Sequence, residues 1–431
     1  MKVLLVGKGG REHALAWKLS TSPSVEHVYV VPGNAGTETL AKTSNITDVA
    51  ANDYPALVTL SKELSIGLVV AGPDDVACDG IEGYFRDSGI PCFAPSKEAA
   101  ALEGSKTFAK NFMRRHNIPT ASYSSLDNHE HAQAYLDHLF LTRDQRVVVK
   151  VDGPAAGKGV VLPTTHNEAR QAVCDIMLNG KFGSAGKTVV IEEFLEGDEI
   201  SVLTFSDGKT SKTLPPGQDH KRIFEGNKGP NTGGMGVYAP VPFVTPEMME
   251  EIDTKIIQPT LAGMRSEGRP FVGMLFTGIM LTPSGPKVLE YNVRFGDPET
   301  QTMMMLLADD TDFAELLLAC AQGRLHEVPV KVKPGYACNV VVAAGGYPDA
   351  YRQGDTVTLG DCPPGIQIFH GGTKREGSLK TAGGRVFSVA AAGTTLEEAV
   401  AAAYQGVKSI HFDGMFYRKD IAARALQIGC L

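Results

Sequence analysis

The chain has 431 residues, 43% of them hydrophobic, and its formal net charge is −8, from 41 basic and 49 acidic side chains. This length predicts two to four packed domains rather than a single core. No block of lysine or arginine marks a nucleic-acid or membrane surface, so any recognition of phosphate must be local.

Seven scattered cysteines without a CxxC pair predict a reducing compartment. The opening MKVLLVG is too short an apolar run for a secretory signal, and nowhere do about 18 apolar residues follow one another. We therefore expect a soluble, cytoplasmic protein without nucleic-acid or membrane partners.

The first hundred residues have the pattern of an open α/β unit. KVLLV predicts a buried strand, GKGG a turn and REHALAWKLS an amphipathic helix, and further strands are predicted at VEHVYVV, IGLVVAG and PCFA. A glycine turn before the first helix favours phosphate binding by backbone amides. Glu12 breaks the dinucleotide pattern GxGxxG, so a phosphate-bearing substrate is a better interpretation than a dinucleotide cofactor.

Residues 96–116 predict a helical pair that contains Lys106, and VVVK followed by VDGPAAGKGVVL predicts a strand, a flexible turn and a strand. Lys150 closes the first of these strands. The turn carries Gly157 and Lys158, and its amides could bind phosphates. Taken alone, such a turn is more often only a turn.

The segment KTVVIEEFLEGDEISVL predicts two strands around a short connector. Its 192–195 backbone could meet an adenine edge, with Glu199 on the ribose hydroxyls; the alternative is an ordinary acidic hairpin. Residues 217–240 are too polar for a core and predict a long loop that is functional or disordered. In that loop Asp219 precedes a glycine turn, NTGGMG, whose amides could bind an anion, although a solvated charge cluster is an equally good interpretation.

The segment LEYNVRFGDPETQ, residues 289–301, predicts a strand with paired oxygen ligands. Glu290 and Asn292 are two residues apart and would share one face of the strand. Two hard oxygen donors suit Mg²⁺ that takes its other ligands from water and phosphates. Arg294 could then grip a small anion with two parallel bonds. The alternative is a plain strand followed by a turn.

From residue 335 the pattern changes to short strands interrupted by glycine and a helix at TLEEAVAAAYQGVKSI, which predicts a separate mixed α/β domain after the boundary KVKPG.

Taken together, the chain resembles the glycinamide ribonucleotide synthetase (phosphoribosylamine-glycine ligase) family in ten segments, in family order from residue 1 to about 421. These are GKGGREHALAWKL, PGNAGT, LEGSKTFAK, GPAAGKGV, IEEFLEGDEIS, QDHKR, PNTGGMG, EYNVRFGDPETQ, GGYP and RKDI. The resemblance implies an ATP-grasp fold with an N-terminal open parallel α/β domain and a C-terminal mixed α/β cap. The implied boundaries are 1–103 for the N-terminal domain, 104–124 with 189–330 for the central domain, 125–188 for a mobile lid and 331–431 for the C-terminal domain.

The resemblance also implies an activity: glycine is joined to 5-phosphoribosylamine through a glycyl phosphate, with conversion of ATP to ADP and phosphate, in purine biosynthesis. Its cofactors would be ATP and Mg²⁺, or Mn²⁺ in its place. In some eukaryotes such a ligase is fused to aminoimidazole ribonucleotide synthetase.

The expected site residues form four groups, of which the pair Lys106 and Lys150, residues 192–195, Glu199, Glu290 and Asn292 match the family and the others are our own candidates. The ATP contacts would be Lys106, Lys150, Gly157, Glu192, Glu193, Phe194, Leu195 and Glu199, and the metal ligands Glu290 and Asn292. The substrate contacts would be Gly9, Gly10, Asn34, Gly36, Thr37, Gly233, Gly234, Met235 and Arg294. Catalytic roles would fall to Arg294, Lys158 and Asp219.

Departures from the family pattern and two alternatives accompany this interpretation. GPDDV at residues 72–76 replaces the usual GPE and proline-leucine pattern, which leaves substrate contacts there open, and FTGIM lacks a further carboxylate for the metal. The alternatives are another ATP-grasp ligase or carboxylase with a different acid or amine, and a non-catalytic nucleotide-binding regulator.

Overall fold

The computed structural model describes residues 1–153 and 159–428 of the chain. In these residues, helices pack against four larger sheets, one parallel and three antiparallel. This arrangement confirms the predicted α/β class. Within the described ranges, no helix combines the length and the apolar composition that crossing a lipid bilayer requires.

The N-terminal part of the chain forms an open parallel α/β unit. Its elements are β1 (Lys2–Gly7), α1 (Gly10–Ser20), β2 (His27–Pro32), β3 (Thr43–Asn45), α2 (Tyr54–Leu64), β4 (Ile66–Ala71), α3 (Asp74–Asp79), α4 (Ile81–Asp87), β5 (Cys92–Phe93) and α5 (Lys97–Gly104). The strand order is β3-β2-β1-β4-β5. Val3 and Leu5 pack in one core and Leu4 and Val6 in another. Burial on both faces is typical of a parallel sheet covered by helices.

A small antiparallel sheet with two helices on it, here called the lid, follows the first helix of the central part. That first helix is α6 (Lys106–Arg115). The lid itself contains β6 (Tyr123–Leu126), α7 (His129–Arg143), β7 (Val147–Val151), β8 (Val160–Val161), α8 (His166–Met177) and β9 (Val189–Glu193). The sheet order is β6-β9-β7-β8, and β7 and β8 form the predicted hairpin, with Lys150 opposite Val160.

The central part is built on a second antiparallel sheet. Its elements are β10 (Asp198–Asp207), β11 (Ser211–Thr213), β12 (Gln218–Asp219), β13 (Arg222–Phe224), β14 (Lys228–Asn231), β15 (Gly236–Ala239), α9 (Pro246–Ile252), α10 (Gln258–Ser266), β16 (Val272–Thr282), β17 (Gly285–Asn292), α11 (Glu299–Leu306) and α12 (Phe313–Ala321). The order β11-β10-β16-β17 places the predicted metal strand, β17, at the edge of the sheet.

The last hundred residues complete a third antiparallel sheet. They contain β18 (Tyr336–Ala343), β19 (Thr358–Leu359), β20 (Ile366–His370), β21 (Thr373–Glu376), β22 (Ser378–Thr381), β23 (Arg385–Gly393), α13 (Leu396–Val407), β24 (Ile410–His411) and α14 (Ala423–Ile428). The sheet order is β12-β15-β18-β23-β20. Two strands of residues 217–240 therefore belong to this sheet.

The prediction that residues 217–240 form a long loop without core residues was wrong. The segment contains the four short strands β12 to β15, and Val237, Tyr238 and Ala239 are fully buried. Its last strand, β15, also pairs with β18, about a hundred residues downstream, and local composition could not reveal that pairing. The exact domain boundaries stay a prediction.

Candidate functional site

A cavity of about 420 Å³ lies between the lid, the central sheet and the glycine-rich segment before β15. Twelve of the predicted site residues line it: Lys106, Lys150, Glu192, Glu193, Phe194, Leu195, Glu199, Asp219, Gly233, Glu290, Asn292 and Arg294. Sequence segments that were interpreted separately thus meet in one place. Gly157 and Lys158 lie outside the described residues.

Glu290 and Asn292 sit on one face of the edge strand β17, as their spacing predicted. Opposite Glu290 the neighbouring strand carries Gly278, whose missing side chain leaves room for the carboxylate. Burial opposes ionisation of Glu290, but nearby cations outweigh it and lower its pKa to about 2. These cations are Lys221, Lys150, Lys106 and Arg294. The carboxylate is therefore charged at any working pH.

The donor chemistry at this strand fits a hard divalent cation. Glu290 offers an ionised oxygen and Asn292 a neutral one, which is the ligand type that Mg²⁺ prefers. In the described part of the chain, no three His, Cys, Asp or Glu residues converge on a metal position. Such an ion would take its remaining ligands from water and phosphate.

Lys221 is a central cation of the cavity that sequence reasoning did not select. Its ammonium pairs with Glu199 and lies 3.5 Å from Glu290. Burial opposes its charge, but Glu199 and Glu290 raise the pKa of Lys221 well above its ordinary value. The predicted ribose and metal carboxylates are thus joined through one lysine. Its place beside Asp219 in QDHKR was the available signal.

The two predicted phosphate lysines point into the cavity from different elements. Lys150, on β7, donates to the carbonyl of Leu289 at 3.2 Å and lies 3.0 Å from Glu192. Lys106 begins α6 and donates to the carbonyl of Gly153 at 3.4 Å. Burial is the main cause that lowers the pKa of Lys106. Two lysines on a helix start and a lid strand can hold a phosphate chain between them.

Lys110 is a second residue missed from the sequence. Its ammonium lies 2.8 Å from Glu192 and 2.8 Å from the hydroxyl of Thr120, and both charged side chains are almost fully buried. Burial is the main cause that lowers the pKa of Lys110 to about 8. The side chain of Glu192 therefore joins α6 to the lid. A lysine one helical turn after Lys106 was the signal that could have found it.

The connector between β9 and β10 leaves amide donors free in the described part of the chain, and that of Leu195 is the one in the predicted adenine segment. The amide of Glu193 donates to Ser122 at 2.9 Å, and that of Phe194 donates to Arg146 at 3.0 Å. The amide of Leu195 has no acceptor among the residues that the structure describes. This segment can therefore offer the Leu195 amide to an adenine edge, as predicted for residues 192–195.

Arg294 is held more firmly by protein than the sequence suggested. One terminal nitrogen lies 3.1 Å from Glu103 and donates to Asn292 at 3.3 Å, and the other donates to the carbonyl of Phe295 at 3.2 Å. Only Nε is buried without a partner in the described ranges. The two terminal nitrogens that were predicted to bind an anion are therefore already bonded to protein acceptors. Only Nε is left for a ligand.

Asp219, which is partly buried, and Glu299, which is buried, place two carboxyl groups in the cavity wall. The hydroxyl of Ser201 donates to Glu299 at 2.9 Å, whereas Oδ1 of Asp219 is buried without a partner in the described part. Burial and the charge of Glu299 raise the pKa of Asp219 well above its usual range. A carboxylate with a raised pKa accepts a proton readily near neutral pH.

The glycine turn before β15 has the tight backbone that was predicted for it. Gly234 has φ of +111°, and an added Cβ would lie 2.4 Å from Pro298 and 2.7 Å from Asp219. Only glycine fits there without strain. Met235 differs from the rest of the turn, because its side chain packs with Ile223 in a small core. Its role as a substrate contact stays a prediction.

The predicted sugar-phosphate residues lie beside the cavity. The amide of Gly9 donates to Glu12 at 2.6 Å, and the side chain of Asn34 donates to the carbonyls of Lys8 and His370, both at 2.8 Å. Further contacts hold the amides of Gly36 and Thr37 on Asn34, and Gly10 lies close to Gln301. These polar groups organise the turn itself, and contact with a substrate stays a prediction. Asp297 lines the cavity and also lies near Gly9, so it connects this region to the cavity.

The GPDDV departure also has a place in the structure. Asp74 begins α3 and lines the cavity, where it adds a negative charge near Glu103. The changed segment therefore still reaches the site with an acidic side chain.

Three family models match the chain. They are described as the phosphoribosylglycinamide synthetase N domain, matched over residues 1–103, its ATP-grasp (A) domain, over residues 104–300, and its C domain, over residues 337–424.

Similar proteins come from fungi and bacteria. A bifunctional purine biosynthetic protein of Schizosaccharomyces pombe is 54% identical over 427 residues, which cover 98% of this chain and 53% of that protein. A phosphoribosylamine-glycine ligase of Caulobacter vibrioides is 47% identical over 432 residues, 99% of each chain. The chain thus spans about half the length of three fungal relatives, since the matches cover 53%, 54% and 55% of those proteins. It spans nearly all of the bacterial relative.

A solved structure has the same architecture over the full length. The crystal structure of a phosphoribosylamine-glycine ligase from Thermotoga maritima superimposes with a TM-score of 0.83 at 34% identity. The match covers 98% of this chain and all of that one. The ATP-grasp fold expected from the sequence is therefore confirmed.

Proposed function

Because the chain belongs to the phosphoribosylglycinamide synthetase family, we propose that it joins glycine to 5-phosphoribosylamine, with conversion of ATP to ADP and phosphate, in purine biosynthesis. The observation that carries the proposal is the meeting of the nucleotide, metal and anion residues in a single cavity. A cavity of about 420 Å³ falls within the size range of small-molecule sites.

The nucleotide would lie between the lid and the central sheet. Lys106 and Lys150 would hold its phosphates, the free amide of Leu195 would meet the adenine edge, and Glu199 would accept bonds from the ribose hydroxyls. For this, Lys221 must release Glu199 or share it with the ribose. Lys158, outside the described residues, is proposed as a further phosphate contact from the lid turn.

Glu290 and Asn292 would hold a magnesium ion on the phosphate side of the cavity. When bound, the ion would neutralise charge that develops on the transferred phosphate. The low pKa of Glu290 supports this assignment, because the ligand is ionised before any metal arrives.

The chemistry can be written in two steps. An oxygen of the glycine carboxylate attacks the γ-phosphorus of ATP, the bond to the β-phosphate oxygen breaks, and ADP leaves from glycyl phosphate. The amine nitrogen of phosphoribosylamine then attacks the carbonyl carbon, the phosphate leaves, and the nitrogen gives up one proton. Arg294 Nε would position the carboxylate, and Asp219 is our candidate for the proton acceptor.

The glycine turn at 233–236 would line the reacting carbonyl. The amide of Gly233 donates to the hydroxyl of Tyr347 at 3.1 Å, and that of Gly234 donates to the hydroxyl of Thr232 at 3.0 Å. These bonds hold the turn in a fixed shape before substrates bind. A preorganised wall reduces the reorganisation needed during reaction. We do not include Met235 among the direct contacts.

The test is release of ADP in the presence of glycine and freshly generated phosphoribosylamine. We expect release to require both, and to fall to background when bicarbonate, formate or alanine replaces glycine. Release that is indifferent to either substrate would contradict the proposal, and activity with bicarbonate would favour a carboxylase. Stabilisation by ATP without any ADP release would indicate a regulator that only binds nucleotide.

A further inference from the structure

We propose that Arg385 and Tyr347, both from the C-terminal part of the chain, are positioning residues for one half of the cavity. This half, here called the substrate half, is lined by Gly233 of the glycine turn and by Asp297. This inference rests on the function proposed above. Both side chains form hydrogen bonds with the glycine turn before β15, and Arg385 also bonds to Asp297 in a second turn.

The sheet topology brings these distant residues to one edge. Strands β15 and β23 are both antiparallel to β18, so both begin where β18 ends. The glycine turn directly precedes β15, Tyr347 follows the end of β18, and Arg385 is the first residue of β23. The fold of the C-terminal sheet thus fixes the distance between the turn and these two side chains.

Arg385 binds two separate segments of the cavity wall. One terminal nitrogen donates to the carbonyl of Gly233 at 2.6 Å and to that of Asp297 at 2.9 Å. The other donates to the carboxylate of Asp297 at 2.7 Å. Gly233 and Asp297 both line the cavity. A planar guanidinium can satisfy acceptors in several directions at once, which an ammonium cannot do in the same way.

The guanidinium also lies directly against the turn. A Cβ added to Gly233 would lie 3.0 Å from the central carbon of the Arg385 guanidinium. The absence of a side chain at position 233 is therefore what lets the arginine approach the peptide closely.

Tyr347 holds the other side of the same residue. The amide of Gly233 donates to the Tyr347 hydroxyl at 3.1 Å, while its carbonyl accepts from Arg385. The tyrosine ring packs on Gly384, where an added Cβ would lie only 2.2 Å away, immediately before Arg385. The amide and the carbonyl of residue 233 are thus both fixed from the C-terminal sheet.

The contacts of Arg385 are confined to the substrate half. Its partners are in the glycine turn and the Asp297 turn, whereas Lys150, Lys110 and Glu192 are held by the lid and α6. Loss of Arg385 should therefore disturb the binding of glycine and phosphoribosylamine more than the binding of MgATP.

The experiment compares Arg385→Gln, Arg385→Lys and the control Arg352→Gln in the full chain. Arg352 is exposed in the same part of the chain and pairs with Asp355 and Asp413. For Arg385→Gln we expect KM for glycine and phosphoribosylamine to rise about tenfold or more, and Kd for MgATP to stay within about twofold. Arg385→Lys should keep the pair with Asp297 but recover KM only in part. The control should match the wild type.

Unchanged constants in Arg385→Gln, or an equal loss of MgATP affinity, would overturn the inference. If that variant does not fold, Tyr347→Phe decides, because it leaves every bond of Arg385 in place. We expect it to raise KM for the same two substrates about threefold, and unchanged values would overturn the inference. A wild type without ADP release dependent on both substrates would overturn the proposed function and this inference together, whereas an active wild type with a normal Arg385→Gln variant overturns only the inference.

Discussion

Glu290 is the residue on which the metal assignment depends. Glu290→Gln keeps the shape of the side chain and removes its charge, and Lys221 keeps its partner Glu199. We therefore expect magnesium-dependent turnover to fall by about a hundredfold or more, with the fold intact. The measurement is kcat across a magnesium titration, together with a thermal melt. Glu250→Gln, at an exposed position of α9, is the matched control. A fully active variant would remove the metal assignment.

Lys110 gives a prediction for the pH dependence of stability. Burial lowers its pKa from 10.5 to about 8 in the folded chain, so between these values the unfolded chain binds more protons. The free energy of unfolding should then rise with pH in this window, by at most about 1.4 kcal/mol per pH unit from this group.

Lys110→Met removes that contribution and leaves Glu192 with Lys150 as its remaining cation. Urea unfolding of both proteins at several pH values between 7.5 and 10 measures the difference, which should grow with pH in favour of the wild type. Lys62→Met, at an exposed lysine of α2, controls for the change of residue type. Parallel pH profiles for Lys110→Met and the wild type would show that the pKa of Lys110 is not lowered.

Individual residues were predictable where a local pattern carried the chemistry. The placement of Glu290 and Asn292 on one strand face was predictable because a spacing of two is visible within one segment, and that of Lys150 because a glycine-rich segment follows it. Their roles stay a prediction. Arg385 could not be found, since its proposed role depends on contacts with Gly233, 152 residues away. The engagement of Arg294 with Glu103 was invisible for the same reason.

Among the elements, the glycine turn before β15 is the one whose shape a single residue decides. Gly234→Ala would place a Cβ 2.4 Å from Pro298, in addition to the strain of a positive φ. Gly268→Ala is a matched control, because its φ is +75° and no heavy atom lies within 4 Å of the added Cβ. We expect about 1 kcal/mol of destabilisation from backbone strain in both variants, and about 1–3 kcal/mol more in Gly234→Ala from the clash.

Chemical denaturation and the KM for glycine measure the two effects. Only Gly234→Ala should raise KM, since only its turn lines the cavity region beside Asp219. Equal destabilisation of the two variants, with unchanged KM, would mean that the turn relaxes around the new methyl group.

Element prediction succeeded where the hydrophobic pattern of a strand was visible in the sequence. The first strand, the paired strands β7 and β8 and the strand that carries Glu290 and Asn292 were all predicted correctly, because their hydrophobic patterns are local. The strands of residues 217–240 were missed because polar residues surround them. β12 pairs with β15 and β13 with β14 inside the segment, and β15 also pairs with the distant β18. The polar residues of that segment correctly indicated the side that faces the cavity. They gave no sign of the residues that pair in a sheet.

At the scale of the whole molecule, the C-terminal part contacts both the glycine turn of the central part and the N-terminal unit. It contributes Arg385 and Tyr347 to the glycine turn, and His370 to the N-terminal unit, where its amide donates to His13 at 2.8 Å and its carbonyl accepts from Asn34. Burial is the main cause that lowers the pKa of both histidines, that of His370 to about 4. This contact is therefore neutral at physiological pH, and it is not expected to open when the pH falls from 7 to 5.

A sheet shared between the central and C-terminal parts predicts that neither folds alone. In a chain ending at residue 330, β15 would lose β18 and become an open edge, with the buried side chains of Val237 and Tyr238 exposed. Exposed apolar edge strands promote aggregation. We expect fragment 1–330 to aggregate or to melt without a cooperative transition, and co-expression with fragment 331–431 to restore a single species that binds MgATP. Size-exclusion chromatography and thermal melts of the two fragments, alone and together, measure this against the full chain. A monomeric, cooperatively folded 1–330 fragment would show instead that the central part carries its own complete core and that the C-terminal strands only dock onto it.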